Sequence, residues 1–322
     1  MTKRTRYFMA GSAAVMATGL CAGLIGYYGG GFAALNASTG PTELAYVPAD
    51  ATVVAYADVR TIMDSQLRQQ LKQVMPVEQT GQQEFQEKTG IDIERDIDYV
   101  VASMTSLGPD HPNGLVVARG RFDIVRLEGL MRDHGATVED YRNKRLINSP
   151  HQTNGEQFTL GFLEPGLVAV GSTSAVKHAI DAQMSAASIT GNDEMMNLVK
   201  DIAAMNNAWA VGRFDVLASQ AKLPDEIAQR VPAVKWFAAA GHINGGIAGT
   251  LRAEARDDQS ASQLRDVVRG FLALVQMQGQ NDPKLSAVAQ SLQLTGEGTT
   301  VALSFTLPAE LLQLVAPKAE IH

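Results

Sequence analysis

The chain has 322 residues, more than the usual single-domain range of roughly 100–200, which points to two domains or one large one. Its 45% hydrophobic and 19% charged content excludes long disorder, collagen and coiled-coil arrays. Twenty-seven basic against 34 acidic residues, a net charge of −7, argue against nucleic acid as a partner, and one cysteine excludes a disulfide framework or a structural zinc cluster.

Lys3, Arg4 and Arg6 are followed by no charged residue until Glu43. Residues 1–6 read as a basic cytoplasmic tip, 7–28 as a transmembrane anchor running from Tyr7 to Tyr28, and 29–45 as a tether. As a helix, the span measures about 33 Å, enough for a hydrocarbon core of about 30 Å. The basic residues before it predict a cytoplasmic N-terminus in a bacterial inner membrane and an extracytoplasmic body. A cleaved signal peptide would carry a shorter apolar region, and Leu35-Asn36-Ala37 is a poor cleavage match. A lipoprotein signal wants a small residue before its cysteine, where Leu20 precedes Cys21. Without the three basic residues, the remaining 24 basic and 34 acidic residues give −10, which disfavours a basic lipid-binding face. Gly19 and Gly23 form a GxxxG pair, with Gly26 on an adjoining small face, so close helix approach is weighed against the ordinary abundance of glycine in membrane helices.

The body divides into a first half at 46–185 and a second at 192–322, joined by a helix over 192–205. In the first, a strand at 52–59 leads through Asp58 or Thr61, as helix cap, to a helix carrying Ile62, Leu67, Leu71 and Val74. Strands at 99–105 and 115–122, a helix at 124–134, a strand pair at 138–148 and 157–171 and a helix at 174–184 follow. The second half reads as a strand at 208–214, a helical segment at 216–230, strands at 235–243 and 247–256, helices at 260–277 and 284–291, a strand at 299–307 and a terminal helix at 309–315. Gly120-Arg121-Phe122-Asp123 and Gly212-Arg213-Phe214-Asp215 are identical tetrapeptides, each closing a strand. The expected fold class is α+β: a single N-terminal transmembrane helix, then two similar halves, each an antiparallel sheet with helices packed on one face.

Val47-Pro48-Ala49-Asp50, Val53 to Val59, Gly90-Ile91-Asp92 with Asp96-Ile97, and Gly171-Ser172-Thr173-Ser174 resemble segments of exported bacterial proteins of the family called DUF3352. The resemblance implies an envelope location and a duplicated α+β body, and brings no reaction.

Ser174 and Lys177 match the S-x-x-K spacing that puts a lysine one helical turn from a nucleophilic serine. Lys88-Thr89-Gly90 matches K-T-G but precedes the serine, and the competing reading makes Ser172, Thr173 or Ser174 a helix cap. Six histidines lack metal-binding spacing. Asp92, Glu94, Asp96 and Asp98 lack the glycine of a calcium loop, and the glycines at 241–249 fit a hairpin turn at Asn244-Gly245-Gly246. Trp209 and Trp236 read as buried, or else as an exposed pair for glycans or peptides. No cofactor is expected. The leading expectation is a membrane-anchored binding or scaffolding protein without catalysis, whose partners are the lipid bilayer and a protein or second copy. The alternative is an envelope hydrolase or transferase using Ser174 and Lys177.

Overall fold

Runs of β-branched and small apolar residues make twelve strands in a computed structural model that describes residues 41–74, 86–87, 89–106, 113–153, 156–220, 233–279 and 283–309. They are β1 (Val53–Ala57), β2 (Ile97–Ser106), β3 (Asn113–Gly120), β4 (Thr137–Tyr141), β5 (Lys144–Thr153), β6 (Glu156–Glu164), β7 (Leu167–Ser172), β8 (Ala208–Arg213), β9 (Val234–Ile243), β10 (Gly246–Ala255), β11 (Gln293–Thr295) and β12 (Thr300–Pro308). The α-helices are α1 (Val59–Met63), α2 (Gln66–Val74), α3 (Ile93–Asp96), α4 (Ile124–Asp133), α5 (Thr173–Ser185), α6 (Asp193–Ala203), α7 (Phe214–Gln220), α8 (Asp258–Gly279) and α9 (Pro283–Ser291).

The strands belong to one antiparallel sheet in the order β11-β12-β10-β9-β8-β1-β2-β3-β7-β6-β5-β4. This corrects the two separate sheets expected from the sequence. One continuous sheet leaves two unpaired edges where two sheets would leave four. The anchor expected at 7–28, with Tyr7, Gly19, Gly23, Gly26 and Tyr28, lies outside the described residues, as does the terminal helix expected at 309–315 beyond Ala309. Among the described residues no helix is long and apolar enough to cross a membrane.

Contacts group the described residues into two units, 41–61 with 86–204, and 62–74 with 205–309. In the first, helices cover both faces of the sheet, a second correction. The cause is alternation without a polar face. Leu115, Val117, Leu146 and Ala169 pack against Ala175, Val176, Ala179 and Ile180 of α5, while Ala118, Ile147, Leu160, Phe162 and Val168 pack against Leu127 of α4. Each large side chain so buried contributes about 1.5–3 kcal/mol. Gly161 allows α5 to lie close, since a Cβ there would stand 2.8 Å from Val176 Cγ1 and 3.0 Å from Leu146 Cδ2. The stretch read as two strands at 138–171 is four, because Arg142 and Asn143 form a two-residue turn with φ of 48° and 63°, and Gly166 turns the next pair at φ 73°.

In the second unit, Ala261 and Leu264 of α8 pack on Ala255, Val301 and Leu294. Leu67 of α2 packs with Ile243, Ile247 and Ala309 at the other end. The hairpin turn expected at Asn244-Gly245-Gly246 joins β9 to β10.

Thr42–Tyr46, at the end of the segment read as a tether, is a 3-10 helix with Glu43, Leu44 and Tyr46 buried. Glu43 is 1% exposed, and its Oε1 accepts from Tyr99 Oη at 2.9 Å and from Arg119 Nε and Nη2 at 2.9 and 2.5 Å. Tyr46 Oη donates to Glu164 at 2.7 Å. Burial, then the bond to Glu43, raises the Tyr99 hydroxyl pKa, so it remains a donor at neutral pH. Glu43→Ala removes the acceptor that Tyr99 and Arg119 share. We expect a loss of about 3 kcal/mol, read as a lower urea midpoint at unchanged slope; an unshifted midpoint would show that the network adds no stability.

Candidate functional site

The serine and lysine singled out in the sequence both lie on α5 and serve different neighbours. Ser172 caps the helix, its Oγ accepting from Ala175 N at 3.1 Å. Ser174 is exposed, with its Oγ 2.9 Å from Ser172 Oγ. Lys177 Nζ donates to Glu139 Oε1 on β4 at 2.6 Å and stands 5.1 Å from the centroid of the Tyr141 ring. An acyl-transfer lysine takes the proton of its serine, whereas this ammonium is engaged by a carboxylate.

Around that ion pair the structure gathers a polar line that the sequence did not reveal. Glu139 Oε2 accepts from Asn148 Nδ2 at 3.2 Å, Asn148 Oδ1 accepts from Thr159 Oγ1 at 2.7 Å, and Thr159 Oγ1 lies 2.6 Å from Thr173 Oγ1. Tyr141 Oη donates to Asp181 Oδ2 at 2.9 Å, and Arg142 Nε lies 2.6 Å from Asp181 Oδ1. The line joins β4, β5 and β6 to α5. The hydrogen bond from Lys177 holds the Glu139 carboxyl below the usual carboxylate range. Chemically this is a clamp of satisfied pairs: each acceptor named has its donor.

A pocket of about 10 Å³ beside α5 is lined by Pro48, Ser103, Thr105, Leu115, Ala175 and His178. That is room for about one water molecule.

The other sequence candidates are dispersed. Asp92 Oδ1 accepts from Glu94 N at 3.0 Å, Asp96 Oδ2 accepts from Asp92 N at 2.8 Å, and Asp98 accepts from Arg60 Nε at 2.6 Å, so three of the four acids read for a calcium loop fasten α3 and the start of β2. Among the described residues no three His, Cys, Asp or Glu side chains are grouped to hold a metal ion. Lys88 lies outside the described residues, while Gly90, at φ 75°, donates its N–H to Gln86 O at 2.7 Å. Trp209 and Trp236 are buried, the first of their two readings, and they form no exposed aromatic pair; Arg213 stacks 5.2 Å from the Trp236 ring. His134 Nδ1 meets Leu130 O at 2.8 Å and His242 Nδ1 meets Met205 O at 3.1 Å.

Two expectations separate a clamp from a catalytic pair. Ser172→Ala costs about 1 kcal/mol through the lost cap, and Ser174→Ala costs a smaller fraction of that; equal losses in chemical denaturation would contradict this assignment. Because Glu139 titrates lower in the folded chain, its contribution is present above the unfolded carboxylate value of about 4.3 and is lost as pH falls through the folded one. Lys177→Met therefore destabilises at pH 7 by about 0.5 kcal/mol, an exposed-pair magnitude, and the difference from the parent narrows toward pH 3.

Comparison of the chain with protein-family models, with curated proteins and with solved structures finds no match.

Proposed function

We propose that this chain is an anchored extracytoplasmic protein that binds or scaffolds, held by residues 7–28 in a bacterial inner membrane with its N-terminus in the cytoplasm. The observation that carries the reading is the charge-free run of residues 7–42 between a basic tip and a body of net charge −10. The part played by α5 supports the second half of the reading. Its serine cap and its Lys177–Glu139 pair hold the helix to the sheet, so the residue types that suggested acyl transfer serve packing. The reading is the same for the resemblance to the DUF3352 proteins, which implies an envelope location.

A periplasmic reporter fused after His322 tests it. The full chain is expected to show reporter activity and to stay with membranes through alkaline carbonate, and deletion of residues 7–28 to abolish both. Reporter activity that persists in the soluble fraction without those residues would remove the anchor. Turnover of an ester or amide probe that depends on Ser174 would remove the non-catalytic reading.

A further inference from the structure

α8 carries more apolar surface than the described residues of its unit cover. Ala261 and Leu264 face the sheet, yet Val267, Phe271, Leu274 and Met277 on the same helix are between 56% and 64% exposed. No charged residue occurs over 270–281. A helix apolar around this much of its circumference calls for a second partner.

The spacing says what kind. Val267, Gly270, Leu274 and Met277 follow a 3-4-3 pattern, the a and d positions of a seam read by another helix. A lipid surface fits less well. Helices that lie on membranes carry an excess of Lys and Arg on their polar side, whereas α8 holds two acids and two bases. Of its bases, Arg265 donates to Gly298 O and Thr300 O, and Arg269 pairs with Asp266 at 2.9 Å. That neutrality, in a chain of net charge −7, suits contact between two like-charged copies.

We propose that two copies of this chain associate through α8, the helices antiparallel across a two-fold axis that passes between Gly270 and Phe271. In that register each Phe271 lies over the partner subunit's Gly270, and each Val267 meets the partner subunit's Leu274. Large faces small in both directions, as an isologous contact requires. A Cβ added at Gly270 would meet nothing within 4 Å, so the hollow that receives the ring is open. A parallel pair would instead set ring on ring and hollow on hollow. Four side chains exposing on the order of 100 Å² each cover about 400 Å² per copy, half of the standard 800 Å², so the dimer is weak and dissociates on dilution. The inference does not depend on whether residues 7–28 cross a membrane.

Sedimentation of the full chain in detergent micelles, with disulfide trapping in a Cys21→Ser background, tests it. We expect a monomer–dimer shift with concentration that Val267→Glu with Leu274→Glu shifts at least tenfold toward monomer, at unchanged far-ultraviolet circular dichroism and melting temperature. Phe271→Cys should crosslink to itself, Val267→Cys should not, and a mixture of Val267→Cys and Leu274→Cys chains should. A dimer untouched by the double glutamate variant, as association through residues 7–28 would give, overturns the proposal. So does self-crosslinking of Val267→Cys as strong as that of Phe271→Cys, a chain that stays monomeric at every concentration, or a double variant whose dichroism collapses while Phe271→Cys fails to crosslink.

Discussion

Strands that are apolar on both sides cannot end at a sheet covered on one side only, and this governs the first unit. β5, β6 and β7 alternate between two hydrophobic sets, one meeting α5 and the other α4. Both faces are thereby covered by a helix, and the charged side chains of the clamp stand at the rim, where helix meets edge strand, while Asn148 and Thr159 keep their hydrogen bond inside. Glu139, Tyr141 and Asp181 stand there, and α5 supplies the cation. Polar clusters in this position secure the packing of a helix on a sheet, whatever their residue types suggest when read along the chain.

Much of the secondary structure was legible because local patterns decided it. The helix expected at 124–134 is α4, the strands expected at 235–243 and 247–256 are β9 and β10, and Asp58 does accept from Thr61 N. The features that escaped are those that depend on distant partners. Arg142-Asn143 carries no glycine to announce a tight turn, yet the chain takes positive φ at both residues. Glu43 follows a Ser-Thr-Gly-Pro stretch and looks solvated; it is buried because Arg119, 76 residues away, supplies its counter-charge. Covering of both sheet faces was hidden for a similar reason, since alternation in one strand does not reveal which helix will occupy the second face.

The repeated tetrapeptide shows how far a short match reaches. In both places Gly-Arg-Phe-Asp takes the chain out of a strand and into a helix, β3 into α4 and β8 into α7. The bonds differ. Asp123 accepts from Arg126 N three residues on, while Asp215 takes both its own neighbour's N–H and the guanidinium of Arg213. Identity of sequence conserved the direction of the chain and left its hydrogen bonding to the surroundings. The candidate site has the same lesson, for S-x-x-K spacing placed two residues on one helix without aiming them at each other.

The burial of Glu43 has a mechanical consequence. Tension on the residues before Pro41 reaches its carboxylate within two residues, and from there passes through Tyr99 into β2 and through Arg119 into β3. The load is divided between two neighbouring strands through charged bonds, instead of unwinding the 3-10 helix one weak hydrogen bond at a time. A pull applied ahead of Pro41 would therefore meet two strands before it met the apolar cluster to which Tyr46 of the same 3-10 helix belongs, as a cable clamp takes load ahead of the housing.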